Sequence, residues 1–285
     1  MRIVKEFKID KNFEITGIYT VFKQRFDSNY FFDGETHDFW ECVYVRKGNV
    51  CVSGDERVYH MHNGDMIFHK PLELHKYYVE TLSGADLFIF SFTMSGELSN
   101  YFEKKVFSLS APQSMQIDEL IRFAAAAHSP IDSDELSSMF SPCLYSNTYL
   151  QQLSAMIERL FLCIYDDANI SYAAELPDET AFKNAVRYMT SHIDGQLTIG
   201  ELAKYCNISP SGLKRLFNRY AGLGIHKYFL KLKINKAARY LKSGVKVTEI
   251  SELLGFSSQG YFSNVFKRET GFNPSEYASV TVPIE

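Results

Sequence analysis

At 285 residues, with 46% hydrophobic and 22% charged side chains, the chain has the composition of a soluble globular protein with room for two domains, each burying its own core. No uninterrupted apolar run of about 18 residues could cross a bilayer, and the opening MRIVKEFKID has no apolar stretch of the kind that directs secretion, so a cytoplasmic protein without a membrane partner is expected. The net charge of −4 conceals a division: residues 178–285 carry 15 Lys+Arg against 9 Asp+Glu, while residues 1–177 carry 15 against 25. The five cysteines (Cys42, Cys51, Cys143, Cys163, Cys206) are scattered without CxxC spacing, which reads as reduced structural thiols.

In chain order, residues 1–95 read as strands. Runs such as 41–45, 49–52, 65–68 and 86–92 are β-branched or aromatic and are bounded by Gly, Asp and Pro, which predicts a small all-β barrel. Aromatics are dense here, including Phe31 and Phe32, and most must fill the core. A few beside polar groups would make a small-ligand pocket, for which His37, Trp40, Glu41, Arg46 and His75 are the candidates. His60, His62 and His69 read as surface or strand-end residues.

Residues 96–165 read as helical. Leu150, Leu153, Ile157, Leu160 and Ile164 step by 3, 4, 3 and 4, a heptad-like seam of about two heptads. Such a seam serves either a homodimer contact or packing on the barrel. Residues 166–178 mix acids, small residues and a proline, and read as the linker to a domain over 179–285.

That last domain repeats itself. Residues 197–209 lie over 246–257 at an offset of 48, which becomes 49 after one extra turn residue and pairs Phe217 with Phe266, Gly222 with Gly271 and Tyr228 with Tyr277. Thr198 and Glu201 form a capping box for a helix running to about Cys206, whereas Lys246 gives the second unit a weaker start. Ser209-Pro210 then opens a second helix whose apolar face is Leu213, Leu216, Phe217 and Tyr220, with Gly222 as its stop. In the other unit Phe262, Val265 and Phe266 make the matching face, Gly271 stops the helix, and Asn273-Pro274 starts a last one. Each unit is a pair of short helices across a tight turn.

The faces left over are Ser211, Lys214, Arg215 and Asn218 in the first unit, and Gln259, Gly260, Ser263, Asn264, Lys267 and Arg268 in the second. These side chains suit base edges and phosphates. Between Lys204 and Lys246 there are eleven basic residues and no acidic one, a density suited to a polyanion. Lys231, Lys233, Lys236 and Lys242 on the intervening helix read either as part of that surface or as a solvated face.

Residues 247–277, VTEISELLGFSSQGYFSNVFKRETGFNPSEY, resemble the C-terminal signature of the AraC/XylS family of arabinose-operon-type regulators. The resemblance covers residues 178–280. It implies two helix-turn-helix units joined by a rigid helix, here about 226–241, that spaces the recognition helices for major grooves about 34 Å apart on one face of double-stranded DNA. Residues 36–48 and 64–75 resemble the two motifs of cupin jelly rolls and the sensor domain often attached to this module. In cupin enzymes these motifs supply three His and a Glu to a divalent metal. Here His37, Glu41 and His75 match three places and Glu35 stands in the fourth, so the expectation is a barrel without metal or other cofactor.

The whole is then expected to be a two-domain α+β protein, a cupin-like barrel with a helical segment followed by an all-α double helix-turn-helix. The function expected is a homodimeric transcription regulator and not an enzyme: an activator working with RNA polymerase and answering a small-molecule effector, by preference a carbohydrate. A dimer whose barrel senses nothing, and a cupin metalloenzyme with a DNA-binding tail, are the alternatives.

Overall fold

The computed structural model describes residues 7–8, 10–28, 30, 34–126, 145–167, 170–171 and 176–279. Cys143, Phe31, Phe32 and parts of the expected linker (168–169 and 172–175) lie outside the described residues. The first half forms two antiparallel sheets. One has the strand order β1 (Glu14–Phe26), β7 (Ala85–Ser95), β2 (Trp40–Lys47), β5 (Asp65–His69), β8 (Val106–Ser108), β9 (Ile170–Ser171). The other has the order β4 (Arg57–Met61), β3 (Val50–Gly54), β6 (His75–Val79).

Side-chain alternation sorts every residue of these strands. Val43, Val45, Ile67, Leu87 and Ile89 of the large sheet face Val50, Val52, Met61, Tyr77 and Val79 of the small one, and these fill the barrel interior. The other face of the large sheet, with Trp40, Cys42, Tyr44, Met66, Phe68 and Phe88 to Phe92 on every second position, is covered by α1 (Ala111–Ala126) and α2 (Asn147–Asp166). β2 is buried from Trp40 to Val45 because both of its faces are covered.

The expected seam on α2 is spent within the chain. Leu153, Ile157, Leu160 and Ile164 are fully buried against the barrel, and only Leu150 stays half-buried. The seam is therefore core, and the reading of it as a dimer contact is corrected: it carries no apolar surface to offer a second copy. The span from 96 to 165 is also not purely helical. Val106–Ser108 pairs with β5, and Ile170–Ser171 pairs with β8, so a piece of the expected linker is sheet edge.

The second half is all helix: α3 (Pro177–Ser191), α4 (Ile199–Tyr205), α5 (Pro210–Ala221), α6 (Ile225–Lys242), α7 (Val247–Leu253), α8 (Gln259–Thr270) and α9 (Pro274–Ser279). Thr198 accepts the Glu201 N–H, Ser209 the Gly212 N–H and Ser258 the Tyr261 N–H, so three of the four helix-turn-helix helices are capped by side chains, while Lys246 caps nothing. Gly222 and Gly271 end α5 and α8 in the left-handed region, at φ 66° and 82°. Gly255 in the second turn, at φ +60°, admits no side chain, because a Cβ there would fall 1.8 Å from the Asp194 carbonyl oxygen.

Lys233 of α6 is buried, and its ammonium donates to Gly195 O at 3.0 Å and Leu254 O at 2.8 Å. It closes the turn before the first unit and the C-terminal end of α7 with one charge, so this lysine is neither a phosphate contact nor a solvated one.

The outer face of the small sheet docks on the helical half. Cys51, Leu72 and Leu74 share an apolar cluster with Phe182, Phe217, Tyr220 and Tyr228. Lys76 donates to Asn218 O at 3.1 Å and Arg219 O at 2.9 Å in the last turn of α5, where Asn218 O also accepts the Gly222 N–H. Ser53 donates to Tyr220 O, and the Tyr228 hydroxyl to Asp55 O at 2.9 Å.

Phe161 of α2 stands between helix layer and sheet, with ring contacts to Phe13, Phe68, Phe90, Phe92 and Phe102 at 4.9–6.2 Å. Phe161→Ala is expected to destabilise the barrel by about 3–5 kcal/mol, read as a lower urea midpoint. A loss below about 1 kcal/mol would contradict the placement of α2 as core.

Candidate functional site

At one end of the barrel the alternation brings four residues together. Glu41 comes from the inward positions of β2 and His75 from those of β6. Glu35 is fixed by a two-way backbone bridge to His75, at 3.0 and 3.1 Å, and His37 follows two residues later. His75 Nε2 lies 3.3 Å from Glu41 and 3.7 Å from Glu35, and His37 Nε2 lies 3.7 Å from Glu41. Burial opposes charge on Glu41, but the hydrogen-bonding and charge of the two imidazoles overcome it and hold the carboxyl well below the usual range. Burial likewise opposes the His75 imidazolium, and Glu35 and Glu41 override it, lifting its pKa to about 10.

His69, expected at the surface or at a strand end, is the last residue of β5, fully buried, and stacks on His75 at 4.2 Å. Its Nδ1 meets the buried Glu73 at 3.2 Å. The signal was present in the strand: His69 shares parity with the inward Ile67, and it faces Glu41 in register. Glu73, in the turn before β6, gave no such signal. Trp40 and Arg46 do not join the cluster. Trp40 is one residue from Glu41 and so points to the opposite face, into the core under the helices. Arg46 lies in the register shift at the far end of β2, where its charge acts on Tyr44 of that other face.

The cluster opens on a cleft of about 230 Å³ between the two halves. His37, Thr36 and Leu72 wall it on the barrel side, and Lys231, Asn235 and Tyr277 on the helical side. Asp38 at its rim pairs with Lys242. A second bridge joins the halves at His60 of β4, whose nitrogens meet Glu80 at 3.2 Å and Glu179, in the first turn of α3, at 2.7 Å. Cys51 also lies near His60, with burial pushing its thiol up to about 12.

On the helical half, Ser211, Lys214, Arg215 and Asn218 form the exposed face of α5, and Gln259, Gly260, Asn264, Lys267 and Arg268 that of α8, with Ser263 half-buried. Arg268 is turned to its neighbour Glu269 at 2.9 Å. Both helices keep their apolar sides inward, so one polar face of each is left to solvent.

Two family models match this chain: an AraC-like ligand binding domain over residues 19–176, more than half of the sequence, and a helix-turn-helix domain over 202–279. The chain belongs to the AraC family of transcriptional regulators. Among relatives of this AraC-family chain, the regulatory protein PocR of Salmonella typhimurium is 28% identical over 39% of the chain and 37% of its own length. The arabinose operon regulatory protein of Escherichia coli is 28% identical over 53% of the chain and 52% of its own length. The match thus spans about half or less of those two relatives. The Msm operon regulatory protein of Streptococcus mutans is 24% identical over 97% of the chain and 96% of its own length.

The His60 bridge makes the union of sensor barrel and DNA module pH-dependent. Burial disfavours the imidazolium, and the hydrogen bonds and charges of Glu179 and Glu80 outweigh that, so its folded pKa is raised. A raised value means the stabilisation is complete below the unfolded pKa of about 6.5 and is lost as pH climbs through the folded one. The Tm difference between the wild type and His60→Gln is expected to be largest near pH ~6 and to shrink toward alkaline pH. A difference that is constant across the range would show that His60 carries no charge in the bridge.

Proposed function

We propose that this AraC-family chain is a ligand-responsive, sequence-specific regulator that reads double-stranded DNA with α5 and α8. The observation that carries this reading is the pair of capped helices, repeated in one module, whose exposed faces hold Arg215, Lys214 and Ser211 on α5 and Gln259, Asn264 and Lys267 on α8. Arg215 has the fork that suits a guanine edge, and Lys267 has the point charge that suits a phosphate. Gly260 offers no reader at the start of α8, so the first unit carries more of the base recognition.

The effector enters the cleft beside His37. At about 230 Å³ it is smaller than the ~300–1,000 Å³ of drug-sized sites, which favours a small polar metabolite, and a sugar or sugar acid is the class to try first. Because walls from both halves line this cleft, an occupant changes the free energy of docking between them only if it favours one arrangement. A dimer, an activating contact with RNA polymerase and a non-enzymatic barrel belong to the same reading. The dimer surface must lie off the buried side of α2, and Met115 of α1 and Leu162 of α2 are exposed apolar residues there.

The test is binding to operators selected from random duplexes. Arg215→Ala is expected to cost about 1–3 kcal/mol and to relax one base position, whereas Lys267→Ala weakens all sequences alike and lowers the salt slope by about one. Unchanged affinity, footprint and salt slope in both variants would remove α5 and α8 as readers.

A further inference from the structure

We propose that the barrel holds one borderline divalent cation of the first transition row, of the zinc, cobalt, nickel or iron(II) class, between His37, His75, Glu35 and Glu41. One ligand atom from each lies within 4.8 Å of the others. This departs from the expectation of a metal-free barrel, and it stands apart from the DNA-binding reading.

The residues fit such an ion on three counts. The first is ring orientation. The His37 Nδ1–H donates to Phe39 O at 3.0 Å and the His75 Nδ1–H to Glu73 O at 3.1 Å, which leaves each Nε2 directed at the centre, where a bound ion takes the place of the proton on His75. A backbone acceptor on the distal nitrogen is the arrangement that fixes metal-binding histidines. Both Nε2 atoms are buried and lack a hydrogen-bond partner, and His75 is 1% exposed. His37 is stacked on Phe39 at 4.0 Å and His75 on His69, so neither ring can turn away cheaply.

The second count is spacing. Four donors about 2.1 Å from a tetrahedral ion lie about 3.4 Å from one another. The three ion-pair distances are 3.3, 3.7 and 3.7 Å, with the two imidazoles meeting different oxygens of Glu41, and one ligand atom from each of the four residues lies within 4.8 Å of the others. An entering ion draws the donors together by up to about 1.4 Å.

The third is charge and donor type. Two carboxylates and two neutral imidazoles sum with a divalent ion to zero, which suits a site where Glu41 and His75 are buried. Two nitrogens and two oxygens select the borderline cations over magnesium or calcium, which take oxygen, and over copper(I), which takes sulfur. Glu35 is half-exposed and His37 lines the cleft, so an ion has a path to the cluster from solvent.

The experiment is titration of the metal-stripped full chain with cobalt(II) and with zinc(II), followed by calorimetry, the visible cobalt spectrum and Tm. One equivalent per chain, a raised Tm and a tetrahedral cobalt spectrum without a thiolate band are expected. Binding should weaken at least tenfold in His37→Ala, which sits at the cleft, and in Glu41→Gln, and should be unchanged in His62→Ala at the surface. His37→Ala keeps the test decisive should Glu41→Gln fail to fold. Absence of saturable binding by the folded wild type overturns the proposal, and so does binding retained in His37→Ala or a thiolate band, which would place the ion at Cys51 and His60. DNA affinity is not a readout here, so failure leaves the regulator reading intact and success does not depend on it.

Discussion

The structure turns on one step along strand β6. His75 points inward to Glu41 and Glu35, and the next residue, Lys76, points outward to the final carbonyls of recognition helix α5. Strand alternation alone puts the two on opposite faces. Buried with only 2% of its surface exposed, the Lys76 ammonium needs acceptors, and the last turn of a helix offers carbonyls with the negative end of the dipole behind them. Separating the halves would return both the lysine and the helix end to water, so this polar contact offsets its own desolvation while the apolar cluster beside it favours docking.

Within the DNA module the corresponding fixture is Lys233. By closing Gly195 O and Leu254 O together it ties α6 to the turn before the first helix-turn-helix unit and to the end of α7 in the second. Besides the His60–Glu179 bridge and the Tyr228 and Arg239 hydrogen bonds, the barrel meets the helical module at two further places. The small sheet holds the end of α5, and the loop around Asp38 meets Lys242 of α6 near Tyr277. The exposed face of α5 stays free while its end is held, so docking sets the orientation of the reader without covering Lys214 and Arg215.

Much of this was legible from sequence because it is local. Caps, the proline at the start of α5, the two left-handed glycines and the internal repeat each state their chemistry within a few residues. Strands β2, β3, β5 and β7 were equally plain. What was not legible depends on which face of an element meets which neighbour. The spacing on α2 is the same for a dimer seam and for a helix on a barrel. The lysines of α6 look alike in sequence, yet Lys233 is a buried brace and Lys242 pairs with Asp38. Trp40 was expected in the pocket for its chemistry, and parity sends it elsewhere. His69 is the strand-end residue expected, but its burial went unforeseen, since a histidine at the end of a strand looks solvated until its alternation with Ile67 is weighed. β8 and β9, of three and two residues, are too short to show any period.

The charge division seen in the sequence acquires a second meaning from these contacts. The basic surplus of residues 178–285 was read as attraction to a polyanion, and part of it answers acids on the barrel: Lys242 meets Asp38, while Arg239 donates to Leu72 O beside Glu73. The acid surplus of the front half therefore does more than keep the chain soluble. It supplies the helical module with a weak anionic neighbour, and the same salt that weakens DNA binding through released counterions also screens the exposed pairs that join the halves. Buried Lys76 and the apolar cluster around Cys51 are screened less than those exposed pairs, so salt acts on the two kinds of contact unequally.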